Sequence, residues 1–136
     1  MAVDQGSTYR IRHLALEVQD LEKSILFYQS AFGMQVLRRR ANPVRNDIAA
    51  YVGFGGESQH VSIELYQYLH VSPSLDVNRG SHIAFAVKGI EHVFKRAIAA
   101  GATSKIIPQN NRPNSINMFA FIHDPDGHEI ELTENS

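Results

Sequence analysis

The chain has 136 residues, a formal net charge of −1 and no cysteine. That length suits one domain over residues 1–136, the charge gives no broad pull on nucleic acid, and the missing cysteines exclude disulfides, zinc–thiolate sites and cysteine nucleophiles. The 43% hydrophobic content supports a soluble core, no run approaches the roughly 18 apolar residues of a membrane helix, and the start lacks a signal-peptide layout, so cytoplasmic location is the default expectation.

Side chains alternate across a strand. From His13, Leu14, Leu16 and Val18 form one apolar face and His13, Ala15 and Glu17 the other. A helix follows. Asp20 suits its N-cap and Glu22 its positive first turn. Leu21, Ile25, Tyr28 and Phe32 keep helical spacing, and Gly33 suits the position past its end. The basic run Arg38-Arg39-Arg40, with Arg45 nearby, has no aromatic interleaving and is expected to be a solvated face that can still touch an anionic ligand. The pattern leaves strand limits open around 36–48. In "HVSIELYQY", Val61, Ile63 and Leu65 form the apolar face, with Ser62, Glu64 and Tyr66 opposite. Residues 69–79, marked by Pro73 and serines and closed by Gly80, read as a linker.

The pattern then repeats. Ile83, Phe85 and Val87 face one way, and His82, Ala84 and Ala86 the other. Ile90, Val93, Phe94, Ala97 and Ile98 make the stripe of a second helix, followed by Gly101. Strand limits around 104–110 are again open. "QNNRPNS" is a turn or flap, the strand "MFAFIH" comes next, and Asp124–Gly127 is a tight turn. In the last strand Ile130 and Leu132 pack and Glu131 lies opposite. His60, His70, His92, His123 and His128 are expected at the surface; Glu129 shares a face with Glu131 and could support it, but its place next to the turn favours solvent. Tyr66 and Phe119 suit a cleft and a core equally. The chain thus reads as α+β, with two copies of a β-α-β-β-β module at about residues 9–68 and 80–134. One helix covers the apolar face of each small sheet, and the other face is free to line a cleft.

Four polar residues fall on those free faces at matching places in the two copies: His13 and Glu64, then His82 and Glu131. A lone strand His or Glu is usually solvated. The same pair repeated in register suits a divalent metal. Neutral imidazole accepts nickel, cobalt, zinc or iron, and carboxylates balance the charge. Such an ion activates a bound water or substrate oxygen.

The sequence resembles the vicinal oxygen chelate superfamily, and within it the glyoxalase I family. The resemblance runs from about Tyr9 to Glu134 and is carried by "HLALEVQDLEKSILFYQSAFGMQVL", "YVGFGGESQHVSIEL", "HIAFAV" and "FIHDPDGHEIEL". It implies paired βαβββ modules curved into an open cup, with His13, Glu64, His82 and Glu131 at the metal-ligand positions. It also implies a homodimer whose sites each take His13 and Glu64 from one subunit and His82 and Glu131 from the other. The compact spacing resembles the nickel- or cobalt-activated type more than the zinc type. The implied reaction turns a 2-oxoaldehyde–thiol hemithioacetal, a small-molecule substrate, into a 2-hydroxyacyl thioester. Glu131 is then the base and Glu64 its symmetric partner. Glutathione-using members typically carry Arg where this chain has Glu17, and Asn where it has Tyr68. Alternatives on the same fold are an epimerase, a dioxygenase, a thiol transferase or a non-catalytic binder of small molecules.

Overall fold

The computed structural model describes residues 9–70, 75 and 80–135. The elements run β1 (His13–Glu17), α1 (Leu21–Phe32), β2 (Gln35–Asn42), β3 (Asp47–Gly53), β4 (Ser62–Tyr68), β5 (His82–Ala86), α2 (Ile90–Ala99), β6 (Thr103–Asn110), β7 (Met118–His123) and β8 (Glu129–Glu134). They form two four-stranded sheets of the same order, β1-β4-β3-β2 and β5-β8-β7-β6. In each, the first strand lies parallel to the last and the remaining pairs are antiparallel. Parallel neighbours need a long crossover, which the helix and the two middle strands supply. The α+β fold expected from the repeat is the one observed.

Local signals explain both helices. Asp20 has extended backbone and its side chain accepts from Lys23 N at 3.2 Å. Gly33 closes α1 with φ of 72°, a left-handed conformation that glycine adopts without a Cβ clash. The stripe Leu21, Ile25, Tyr28 and Phe32 is buried as its spacing predicts. In α2, Ile90, Val93 and Ala97 are buried and Ile98 stays exposed. The α2 cap comes from elsewhere. Gly89 offers no side chain, and the Glu134 carboxylate at the end of β8 accepts from Gly89 N at 2.9 Å and Ile90 N at 2.8 Å. These two backbone donors hold the Glu134 pKa below its ordinary value.

The helices pack on each other, and the core is continuous across the two modules. Phe32 of α1 meets Phe85 of β5 edge-on at 4.7 Å. A polar tie crosses the same boundary. Tyr28 OH donates to Asp124 Oδ2 at 2.6 Å, and both residues are buried. Asp124 Oδ1 accepts from Asp126 N and His128 N, both at 2.9 Å. His128 Nε2 donates to the Glu17 carbonyl at 2.6 Å.

Several expectations need correction. His128 is buried, because the turn beside it docks on α1 and β1 instead of meeting water. Leu14 and Val61 are exposed, at 44% and 49%. Leu14 lies on an edge strand, and Val61 precedes β4. The basic run sits inside β2 and is not a uniformly solvated face. Arg39 pairs with Glu22 of α1, while Arg38 and Arg40 turn to the opposite side of the sheet. The linker expected at 69–79 lies mostly outside the described residues; Leu69 and His70 are exposed. Among the described residues, no helix is long and apolar enough to cross a membrane.

Two predictions follow from these caps and ties. Tyr28→Phe leaves the buried Asp124 without its hydroxyl donor and should lower unfolding free energy by about 1–3 kcal/mol in a urea titration; an unchanged midpoint would remove the tie from the account. Glu134, with its pKa lowered on folding, stabilises the fold above its ordinary value of 4.5 and loses that contribution as pH falls through the folded value. Glu134→Gln should therefore unfold at lower urea than the parent chain at pH 7, with the gap closing in acid. A gap that does not change with pH would contradict the cap.

Candidate functional site

Each sheet carries its polar cluster on the face away from its helix. On the first sheet the four strands contribute His13, Glu64, Tyr51 and Arg40 in spatial order. Register sets this arrangement. His13 pairs with Ser62 and Glu64 with Ala15, so the imidazole and carboxylate are diagonal neighbours on one face. Tyr51 lies directly opposite Glu64. Its ring meets His13 edge-on at 5.3 Å, and its hydroxyl donates to Glu64 Oε2. Arg40 Nη2 lies 3.2 Å from the same oxygen, and Arg40 Nη1 bonds Asp47 Oδ1 at 2.6 Å. Burial works against the Arg40 charge, but its bonds to Asp47 and Tyr51 and the nearby Glu64 carboxylate outweigh this and raise its pKa. Arg38 stacks 3.5 Å over the Tyr51 ring and binds Glu57, whose pKa that bond lowers. Glu64 is buried, with 4% of its surface exposed.

The second sheet repeats the pair with different surroundings. His82 pairs with Glu129, and Ala84 with Glu131. His82 Nε2 lies 3.2 Å from Glu131 Oε1, and His82 Nδ1 lies 3.8 Å from Glu129 Oε2. Phe121 stands opposite Glu131 where the first sheet has Tyr51, and its ring meets His82 edge-on at 5.2 Å. It has no hydroxyl to offer the carboxylate. The Glu129 side chain is only 18% exposed and is held by Lys105, which lowers its pKa. It therefore does not stand free in solvent as the sequence suggested, because β5 brings His82 alongside it.

The structure thus brings His13 to Glu64 and His82 to Glu131, as two pairs. Among the described residues, no three His, Asp or Glu side chains of one chain are placed to hold a metal ion. His13 Nδ1 is buried and has no hydrogen-bond partner among them, so the imidazole of the first pair keeps an unpaired polar atom. The edge strands β1 and β5 border a cavity of about 280 Å³ lined by Ala15, Leu16, His82 and Glu129. A second cavity, about 290 Å³, gathers Glu17, Gln19, Gln67, Tyr68 and His70. The two positions where the sequence departs from the glutathione-using pattern therefore share one cleft. Glu17 itself is largely buried. Of the cleft-or-core candidates, Tyr66 and Phe119 are both half-buried.

The sequence did not place Arg40, Tyr51 or Asp47 beside Glu64, and it favoured solvent for Glu129. The period of two puts Arg38 and Arg40 on one face of β2, but only the β2–β3–β4 pairing shows that this face meets Glu64.

Known proteins are similar to this chain in sequence and fold. The model of the glyoxalase/bleomycin resistance protein/dioxygenase superfamily matches residues 10–132. A probable lactoylglutathione lyase of Vibrio cholerae is 35% identical over 131 residues, covering 95% of this chain and 93% of its own length. The lactoylglutathione lyase of Salmonella typhimurium is 34% identical over 127 residues, 92% of each chain. Glyoxalase I from Zea mays superposes with a TM-score of 0.83 at 30% identity; the match covers 93% of this chain and 45% of the maize chain, so this chain spans under half of that protein. The trypanothione-dependent glyoxalase I of Leishmania major superposes with a TM-score of 0.77 at 27% identity, covering 93% and 87% of the two chains. With two βαβββ modules, a family match over nearly its whole length and relatives above 30% identity, the chain belongs to the glyoxalase/bleomycin resistance protein/dioxygenase superfamily.

Proposed function

We propose that the protein is a metal-dependent, glyoxalase I-like lyase that converts a 2-oxoaldehyde–thiol hemithioacetal into a 2-hydroxyacyl thioester. The observation that carries this reading is the His–Glu pair placed in the same register on both sheets. Relatives named lactoylglutathione lyase, matched over more than 90% of the chain, support it. Since no third ligating side chain joins either pair among the described residues, the proposed active form is a homodimer joining His13 and Glu64 of one subunit to the second pair of the other.

The donor set fits a divalent ion. Two neutral imidazoles and two carboxylates balance its charge, and the partnerless His13 Nδ1 marks a ring ready for a ligand. His13, Glu64, His82 and Glu131 would hold the ion, with nickel or cobalt favoured over zinc. When bound, it supplies Lewis acidity at the two neighbouring oxygens of the hemithioacetal. The proton transfer belongs to the carboxylates. Glu131 takes the carbon-bound proton and returns it to the adjacent carbon. Among the described residues its side-chain partner is His82, and it lacks the grip that Tyr51 and Arg40 place on Glu64. Glu64, gripped by Tyr51 and Arg40, suits the role of fixed partner.

The cleft holding Glu17 and Tyr68 favours a second reading of the thiol, not of the reaction. A glutathione carboxylate would meet the Glu17 side chain there, so a thiol lacking that negative charge fits better.

Chelator-stripped protein should be inactive towards methylglyoxal with a thiol, and should regain turnover with nickel or cobalt. Glu131→Gln should lose at least 100-fold in turnover, the low end for removing a general base, while its circular dichroism spectrum stays unchanged. Full activity in that variant would rule out Glu131 as the base.

A further inference from the structure

The grip that Tyr51 and Arg40 place on Glu64 is anchored by a further group that the proposed chemistry leaves without a role. Asp47, at the start of β3, is fully buried. Its Oδ1 takes Arg40 Nη1 at 2.6 Å, and its Oδ2 lies 3.1 Å from Arg45 Nη2. Arg40 then turns its remaining nitrogens to Glu64. Nη2 lies 3.2 Å and Nε 3.4 Å from Oε2. Tyr51 OH donates to that same oxygen. Every hydrogen bond and ion pair on Glu64 among the described residues falls on Oε2, and Oε1 has none. The two Arg40 contacts are longer than a tight ion pair, but with the Tyr51 hydroxyl they bring three donors to one oxygen, which holds the carboxylate in one orientation. Tyr51 also packs its ring against His13, so it touches both members of the pair.

Among the described residues the second pair lacks this apparatus. Phe121 replaces Tyr51 in register, and Glu131 is 23% exposed with His82 as its partner. The two halves are equal in donors and unequal in support.

We infer that Arg40 and Tyr51, with Asp47 behind Arg40, are positioning residues: they occupy Glu64 Oε2 and reserve Oε1 for the metal. The inference rests on the metal-site reading above and adds a division of labour to it. Glu64 is a rigid ligand through one oxygen, and Glu131 is the mobile one. Arg40 is poorly suited to grip a substrate anion, because Nε, Nη1 and Nη2 are all engaged and its side chain is only 19% exposed. Groups that orient a ligand are usually worth 10- to 100-fold in metal affinity.

The test is Co(II) affinity, measured by competition with a chromophoric chelator, together with the visible absorption of the Co(II)-loaded protein. The chains compared are the parent, Tyr51→Phe, Arg40→Lys and Glu64→Gln. Tyr51→Phe removes one hydroxyl and leaves the Arg40–Asp47 pair in place. Arg40→Lys keeps a cation beside Asp47 but loses the planar fork. Both should weaken Co(II) binding by about 10- to 100-fold and alter the visible spectrum, with metal-free melting temperature held near that of the parent. Unchanged or tighter binding in both variants, with Glu64→Gln weakened, would overturn the positioning role alone and leave Arg40 a mere counter-ion. A parent chain that binds no better than Glu64→Gln would overturn the metal site and the inference with it.

Discussion

The parallel register of β1 on β4, repeated by β5 on β8, is the constraint on which the rest of the site depends. It sets His13 diagonal to Glu64 and His82 diagonal to Glu131. A slip of one residue would turn each carboxylate to the helix side of its sheet and leave the imidazole alone. The crossover must therefore return the fourth strand in one register, and the core enforces it. Ile63 and Leu65 flank Glu64 and are buried, as Ile130 and Leu132 flank Glu131 and are buried. The apolar residues hold the register, and the register aims the polar ones.

The modules are joined by more than sequence. The helices stack, Phe32 meets Phe85, and the Tyr28–Asp124 bond fixes the turn before β8 to the first helix. His128 extends that tie to the Glu17 carbonyl at the end of β1. The strands that bear His13 and Glu131 are thus coupled through a buried polar path. Such a path is stabilising only while each member stays satisfied, which gives the Asp124 turn its structural weight.

Much of this was legible in the chain. The repeat, the alternation and the Asp20 and Gly33 signals gave both modules and the four residues on the free faces. What stayed hidden depends on partners distant in sequence. His128 beside a turn looks solvated until β1 and α1 are known to dock there. Glu129 looks solvated until β5 places His82 next to it. Arg38 and Arg40 look like a surface charge run until β2 is paired and Tyr51, Glu57 and Asp47 come under them. Leu14 looks like core because alternation reports a face and not how fully that face is covered. In each case local pattern was right about the face and silent about the neighbour.

In the proposed dimer the two unequal pairs meet between subunits. The most direct test mixes two inactive chains, His13→Ala and His82→Ala, under conditions of subunit exchange. If each site draws one pair from either subunit, a mixed dimer holds one intact site and one doubly damaged site. Random exchange at equal concentrations should then restore about a quarter of the parent's metal-dependent turnover. No recovery, with exchange verified by differently tagged chains, would contradict a site shared across the dimer.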